Sequence, residues 1–309
     1  MSLSGVSLSR KRVVMFGGKG GVGKTSTSAS AALHFAAAGL RTLIISSDLS
    51  PSLSDIFEAE VGATETPISA VPNLWALEVN TDEVMRRWKA KFGAQIYEAS
   101  QVFLNMPYDE IVDYVGMAPG IQEEFLLDFV LDKVRGNEYD MVVWDTAPAG
   151  DTLRLLELPH RFLEHLRTAP KVYLRVRDKL QLGSVPFLEL IESWRSLSEE
   201  VAGFFRDEAM VEFVLVTIPE ALGVFQARRT MDDLTKFGLH VKNLLVNFVV
   251  DNPDSDFMRR RQAMQQPYLQ QLEKDVGGTL CITRIPLFAE EVKGIDRLSQ
   301  MQRLLFRVQ

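Results

Sequence analysis

Residues 11–25 read Lys11-Arg12-Val13-Val14-Met15-Phe16-Gly17-Gly18-Lys19-Gly20-Gly21-Val22-Gly23-Lys24-Thr25, a short apolar run that opens into a glycine-rich turn ending in lysine and threonine. Val13–Phe16 has the character of a buried strand, and the alanine-rich Thr25–Ala38 that follows has the propensity of a helix. A GxxxxGK[ST] pattern can arise by chance in a glycine-rich surface loop, but a strand before it and a helix after it form the context that phosphate binding requires. The glycines let successive amides turn inward around phosphate oxygens, and the helix adds its positive end. Gly18, Lys19, Gly20, Gly21, Val22, Gly23, Lys24, Thr25 and Ser26 are therefore the candidate nucleotide cradle, with ATP as the expected nucleotide. Lys24 is placed to bridge the β- and γ-phosphates and the Thr25 hydroxyl to ligate Mg²⁺. Lys19 stands where an ordinary loop of this kind tolerates almost any residue. A flexible point charge there can reach phosphates held by a facing subunit, which points to a homodimeric, switch-like ATPase rather than a kinase.

Moving outward, further short apolar runs at Leu43–Ile45, Met141–Trp144, Phe213–Thr217 and Leu244–Phe248 each close on a polar residue, and helical patterns separate them. That alternation predicts an α/β fold, a mostly parallel sheet of the P-loop NTPase kind with crossover helices. Ligands of such sheets sit beyond the carboxyl ends of the strands, where Gly17, Asp48, Asp145 and Pro219 would gather. Asp145 ends one strand and is a candidate to act on the metal from its far side. Asp48 ends the neighbouring strand and is the candidate to position the attacking water or to reach the metal. Asp55, seven residues on, is its competitor. Two segments fall outside the minimal plan. Helical patterns with apolar stripes occupy Thr81–Val115 and Leu180–Phe205, so a single domain over 1–309 is expected to carry helical insertions at about 80–127 and 178–210. Their stripes either pack inward or form an exposed groove for an apolar helix of a partner.

Composition narrows the class. The 309 residues carry 34 Lys and Arg against 41 Asp and Glu, a net charge of -7, so no overall basic field for nucleic acid or acidic lipid exists. One cysteine, Cys281, excludes an internal disulfide and a cysteine-pair metal site. Apolar runs are too short for a signal peptide or a membrane span, and a cytoplasmic protein without stable membrane insertion is expected. His34, His160, His165 and His240 are dispersed, which argues against a histidine metal site.

The segment Asp145-Thr146-Ala147-Pro148-Ala149-Gly150-Asp151-Thr152-Leu153-Arg154-Leu155-Leu156-Glu157-Leu158-Pro159, together with Lys19–Thr25, closely resembles the ATPase family that contains the arsenite-pump ATPase and the targeting factors for tail-anchored membrane proteins. Ser52–Asp55, Pro119–Ile121, Ile218–Glu220, Asn247 and Ile285–Phe288 extend the resemblance over nearly the whole chain. The resemblance implies Lys19 as a cross-subunit lysine, Asp48 as the residue polarising water, and Asn247 with the Pro286 loop as the adenine seat. It also implies a homodimer that closes on ATP and delivers an apolar protein segment or membrane-protein client. The first switch departs from the family pattern by reading Asp48-Leu49-Ser50-Pro51-Ser52-Leu53-Ser54-Asp55, and Asp151 replaces a usual histidine. The zinc cysteines of the eukaryotic targeting factors and the arsenite thiols are missing, so sulfur-based arsenite binding cannot operate with Cys281 alone. Three other functions compete: a partner-binding switch with negligible turnover, an arsenite-pump-associated ATPase, and a nucleic-acid positioning ATPase. The last is disfavoured by the second switch, the family-specific segment Asp145–Pro159.

Overall fold

The computed structural model describes residues 11–47, 52–100, 106–117, 121–146, 164, 186–276, 278 and 280–306. The chain divides into two compact units, one of Met1–Val79, Lys133–Leu153 and Arg206–Gln309, the other of Asn80–Asp132 and Arg154–Phe205.

The first unit is built on an eight-stranded sheet. Its strands are β1 (Val13–Gly18), β2 (Thr42–Ser46), β3 (Thr66–Pro67), β4 (Leu74–Glu78), β5 (Met141–Asp145), β6 (Val211–Thr217), β7 (Val241–Val249) and β8 (Cys281–Pro286), in the order β3-β4-β2-β5-β1-β6-β7-β8. Every pairing is parallel except that of the two-residue β3 with β4. The expected α/β sheet is thus present, with β1 at its centre between β5 and β6. Strands β3, β4 and β8, which the short-run reading left out, complete it. In β8 the adjacent polar pair Thr283-Arg284 interrupts the apolar residues, so no continuous apolar run marks it.

Both faces of the central strands are buried, which is why they read as unbroken apolar runs. On one face Val14, Phe16, Ile44, Val143, Val214, Val216, Leu245 and Ile285 meet helix α1 (Lys24–Ala37), α2 (Ser52–Phe57) and the last helix of the chain, Gly294–Leu305. The alanines of α1 (Ala29, Ala31, Ala32 and Ala36) keep that helix slim where sheet and C-terminal helix press on it from both sides. On the other face Val13, Met15, Leu43, Ile45, Val142, Trp144 and Leu215 are buried as well. Helix Ala221–Lys236 packs on β6 there.

One surface feature gives a pH test. The Arg41 guanidinium grips Asp140 through Nε and Nη2 at 3.0 and 2.8 Å, and the Arg41 backbone N–H donates to the same carboxylate at 2.9 Å. These bonds hold the Asp140 carboxyl down at about 2, below its ordinary 3.8. A depressed folded-state pKa adds stability that is present above the ordinary value and is lost as pH falls through the folded one. Asp140→Asn is therefore expected to melt slightly below wild type at pH 6, by no more than about 3 °C for so exposed a pair. The gap should shrink between pH 4 and pH 2, as scanning calorimetry at a series of pH values can check.

The second unit is helical. Helix α3 (Thr81–Ser100) buries Val84, Trp88, Phe92 and Ile96 at four-residue spacing, and packs on α4 (Tyr108–Gly116). Gly93 sits inside α3 because a Cβ there would lie 2.1 Å from the Tyr108 hydroxyl. Helix α5 (Ile121–Arg135) runs beyond residue 127, the expected end of the first insertion, since Phe129, Val130, Leu131 and Val134 continue its buried face. Its Asp128 is fully buried and takes the Lys91 ammonium at 2.5 Å. Helix α6 (Pro186–Arg206) ends at Arg206 rather than 210, and Asp207 turns the chain into β6 by accepting the Val211 N–H. The stripe on α6 packs inward: Leu190, Ile191, Val201 and Phe205 are buried, and Trp194, Leu197 and Phe204 half-buried. Exposed apolar surface of this unit is found instead on and beside α4, at Met106, Tyr108, Tyr114 and Met117.

Candidate nucleotide site

The turn after β1 is held open by backbone geometry. Gly18 pairs with Val216 in the sheet, and a Cβ on it would stand 2.3 Å from the Val216 carbonyl oxygen, so no side chain fits. Gly23 adopts φ 88°, in the left-handed region, and a Cβ on it would stand 2.3 Å from Asn247 Nδ2. Between them Lys19, Gly20 and Gly21 are exposed, whereas Val22 is buried in the core that includes Phe16 and Val216. Val22 is thus the anchor of the loop by its side chain, and only its backbone can belong to a cradle.

Helix α1 starts at Lys24 with no side-chain cap and no acidic residue in its first turn. Its first amides and its positive end are left for an anion. The Lys24 side chain is buried and curls back over the loop, where Nζ donates to the Lys19 carbonyl oxygen at 3.3 Å. A buried ammonium hung over uncapped amides makes a concentrated positive field. Lys19 is on the exposed rim of the same turn, and Thr25 and Ser26 are half-buried at the helix start.

Asp145 ends β5 and is 1% exposed; its register partner on β1 is Phe16, two residues before Gly18. Thr146 follows, and both its N–H and its hydroxyl donate to the Phe16 carbonyl oxygen, at 3.2 and 2.8 Å. β2 pairs with β5 so that Ser46 faces Asp145, and the Ser47 N–H donates to the Asp145 carbonyl oxygen at 3.1 Å. Trp144 Nε1 donates to Ser47 Oγ at 3.0 Å. The strand ends that lead into both proposed switches are thereby tied to the strand that carries the phosphate loop. Asp48, Leu49–Pro51 and the second switch beyond Thr146 lie outside the described residues. Asp55 has an exposed side chain in the first turn of α2. That short helix is held at its start by Glu78, whose Oε1 accepts the N–H groups of Leu53 and Ser54 at 2.8 and 3.0 Å.

Asn247, which the resemblance implies at the adenine seat, lies near the end of β7. It is 1% exposed; Nδ2 donates to the Val22 carbonyl oxygen at 3.0 Å and Oδ1 accepts the Phe248 N–H at 2.9 Å. Through the first of these bonds Asn247 reaches past β6 to the phosphate loop, and each polar atom keeps capacity for a second bond. Pro286 ends β8 opposite Val249, and the Leu287 N–H donates to the Val249 carbonyl oxygen at 2.8 Å. Phe248, between Asn247 and Val249, has φ 59° in spite of its bulk. Such a conformation costs on the order of 1–3 kcal/mol and persists only where its surroundings over-determine it. Sequence reading missed the Asn247 tie, Glu78, Phe248 and the bonds of Thr146 to Phe16. Only the Asn at a strand end carried any signal.

A divalent ion fits this donor set. Among the described residues no group of three or more His, Cys, Asp or Glu side chains could cage a metal. Mg²⁺ does not need one, because it is commonly held by one or two protein oxygens together with phosphates and water. The Thr25 hydroxyl and the Asp145 carboxylate, hard oxygen donors at the start of α1 and the end of β5, are of the right kind.

The chain is similar to known proteins over nearly its whole length. Residues 11–307 match the family described as anion-transporting ATPase. The chain is 31% identical over 310 residues to the protein named ATPase ASNA1 homolog 1 of Paramecium tetraurelia, covering 95% of this chain and 92% of that one. It is likewise 31% identical to ATPase ASNA1 homolog of Dictyostelium discoideum and to ATPase get3 of Sclerotinia sclerotiorum, in each case across 95% of this chain and 89% of the relative.

Proposed function

Because this chain belongs to the anion-transporting ATPase family and hydrolyses ATP, we propose that it works as a Mg²⁺-dependent dimeric switch that binds and delivers apolar protein segments, tail-anchored helices among them. The observation that carries the reading is the tying of β2, β5 and the phosphate loop to one another at their carboxyl ends, through Ser47, Asp145, Thr146 and Phe16. Loss of the γ-phosphate at the loop would be felt at once by the segments that leave β2 and β5.

In the hydrolytic step water attacks the γ-phosphate in line with the departing ADP oxygen. Lys24 bridges the β- and γ-phosphates, the amides of Gly20–Thr25 surround them, and Lys19 reaches the nucleotide of the second subunit. Asp48 orients the water. Thr25 and Asp145 would hold Mg²⁺, which neutralises phosphate charge when bound. Support for an apolar client comes from the helical unit, where Tyr114 and Met117 are 68% and 71% exposed. Methionine and tyrosine suit varied apolar helices. A cytosolic site of action is part of this reading. Among the described residues no helix is long and apolar enough to cross a membrane.

Two outcomes decide it. Asp48→Asn is expected to bind ATP as wild type does while turnover falls by roughly 10²–10⁴, the range for loss of a proton-handling group; equal turnover would remove Asp48 from the role. Size-resolved co-purification of wild type and Asp48→Asn with a tail-anchored helix, in ATP and in ADP, should give a discrete ATP-dependent complex that a length-matched polar peptide does not form. ATP-dependent dimerisation without preference for the apolar helix would sink the client assignment.

A further inference from the structure

The tie between Asn247 and the phosphate loop depends on a second helix. The helix Asp256–Val276, numbered α8 in chain order, carries Gln265, which is 1% exposed. Gln265 Nε2 donates to the Phe248 carbonyl oxygen at 2.9 Å, and Oε1 accepts the Val250 N–H at 2.9 Å. One turn earlier, Gln262 Nε2 donates to the carbonyl oxygens of Val250 and Asp251, both at 3.0 Å. These bonds fall where β7 departs from regular pairing. Val246 pairs with Arg284 and Val249 with Pro286, so β7 carries one residue more than β8 across the interval. An extra residue in one strand leaves backbone groups without ladder partners and redirects the chain. Here Gln265 takes up the groups on either side of Val249 and holds Phe248 at its left-handed φ of 59°. The preceding residue, Asn247, is thereby aimed across β6 at Val22.

We infer that Gln265 is a positioning residue for the nucleotide loop, acting through the bulge at Phe248 to keep Asn247 fastened to Val22. Gln265 touches neither the loop nor a nucleotide. Its whole effect on ATP passes through Asn247. The inference rests on the nucleotide site described above, since it concerns the shape of that loop. It also makes the position of α8 and the affinity for ATP two ends of one linkage, because α8 holds the bulge that holds Asn247.

A buried glutamine that only satisfies a bulge would serve the fold and nothing else, so the test must separate the two roles. Gln265→Leu removes both bonds with little change in volume. Gln265→Glu keeps the acceptor for the Val250 N–H and loses the donor to the Phe248 carbonyl, and it carries the comparison if the leucine variant does not fold. KM and kcat for ATP and the affinity for a fluorescent ATP analogue are measured for each variant, in the wild-type background and in Asn247→Ala, below the melting temperature of all. The expected result is a KM raised about tenfold with kcat changed by less than about twofold, and almost no further effect of either Gln265 variant once Asn247 is alanine. Equal effects in the two backgrounds, a lowered melting temperature with unchanged KM, or a loss confined to kcat would each overturn the inference. Lys24→Met is measured alongside. If it leaves both ATP-analogue binding and turnover intact, the nucleotide site itself is misplaced and both readings fall. If it lowers binding or turnover while the Gln265 variants leave KM unchanged, only the positioning role does.

Discussion

Lys24→Met is expected to lower ATP turnover by about two to three orders of magnitude, the loss that follows when one preorganised donor to developing charge is removed. In the wild type Lys24 is buried, and its ammonium reaches the Lys19 carbonyl oxygen at 3.3 Å, within the turn that receives the phosphates. That weak internal contact holds the side chain near where a β- or γ-phosphate oxygen would take it over. Methionine keeps most of the aliphatic stem, so packing between the loop and α1 is largely retained, whereas the charge is gone. Turnover measured by phosphate release, with circular dichroism to show that the helix content is unchanged, is the check. A variant that keeps more than about a tenth of wild-type turnover would contradict the assignment, because a charged donor at transferring phosphate cannot be worth so little.

Gly23→Ala is the second large effect, and its cause is steric. The residue has φ 88°, which an L side chain adopts at a cost of roughly 1–2 kcal/mol. In addition, the new Cβ would stand 2.3 Å from Asn247 Nδ2, far inside contact distance, so the Asn247 amide or the loop must shift. Either movement breaks the bond from Asn247 to the Val22 carbonyl oxygen and displaces the first turn of α1. We expect ATP affinity to fall by more than about tenfold, and melting to occur several degrees lower, at roughly 2–4 °C per kcal/mol for a unit of this size. Asn247→Ala in the same chain removes the atom that the Cβ would strike. The double variant should therefore melt higher than the sum of the two single losses predicts, because the clash is relieved and only the backbone strain remains. Strict additivity, read from urea melts of all four proteins, would mean that Gly23 is needed for its φ alone.

The two effects differ in how visible they are before any fold is known. The phosphate loop is a local object. Its glycines, Lys24 and the helix behind them are consecutive in the chain, and the backbone geometry that suits phosphate is set by neighbours in sequence. The fully buried parallel strands were legible for a related reason, since burial on both faces forces unbroken apolar runs such as Val13–Phe16 and Met141–Trp144. β8 was not, because only some of its positions are buried, and the adjacent polar pair Thr283-Arg284 between Ile282 and Ile285 leaves no apolar run.

What holds the site together lay beyond sequence reading. Nothing in the neighbours of Asn247 decides which carbonyl its amide meets. The choice is made by Val22, 225 residues away, and by a bulge that Gln265 pins from another helix. Thr146 and Glu78 are similar cases, each recognised only by the carbonyl or amide it meets in space. Likewise the helical pattern of Leu180–Phe205 is a property of the chain, but whether its apolar stripe packs or stays open depends on what covers it, and the structure buries Leu190, Ile191, Val201 and Phe205. From sequence alone came the elements whose causes are local, namely the phosphate turn, the buried strands and the amphipathic helices. Tertiary structure decided the rest, because strand order, a bulge and the partner of a buried amide depend on contacts between residues that the chain itself keeps far apart.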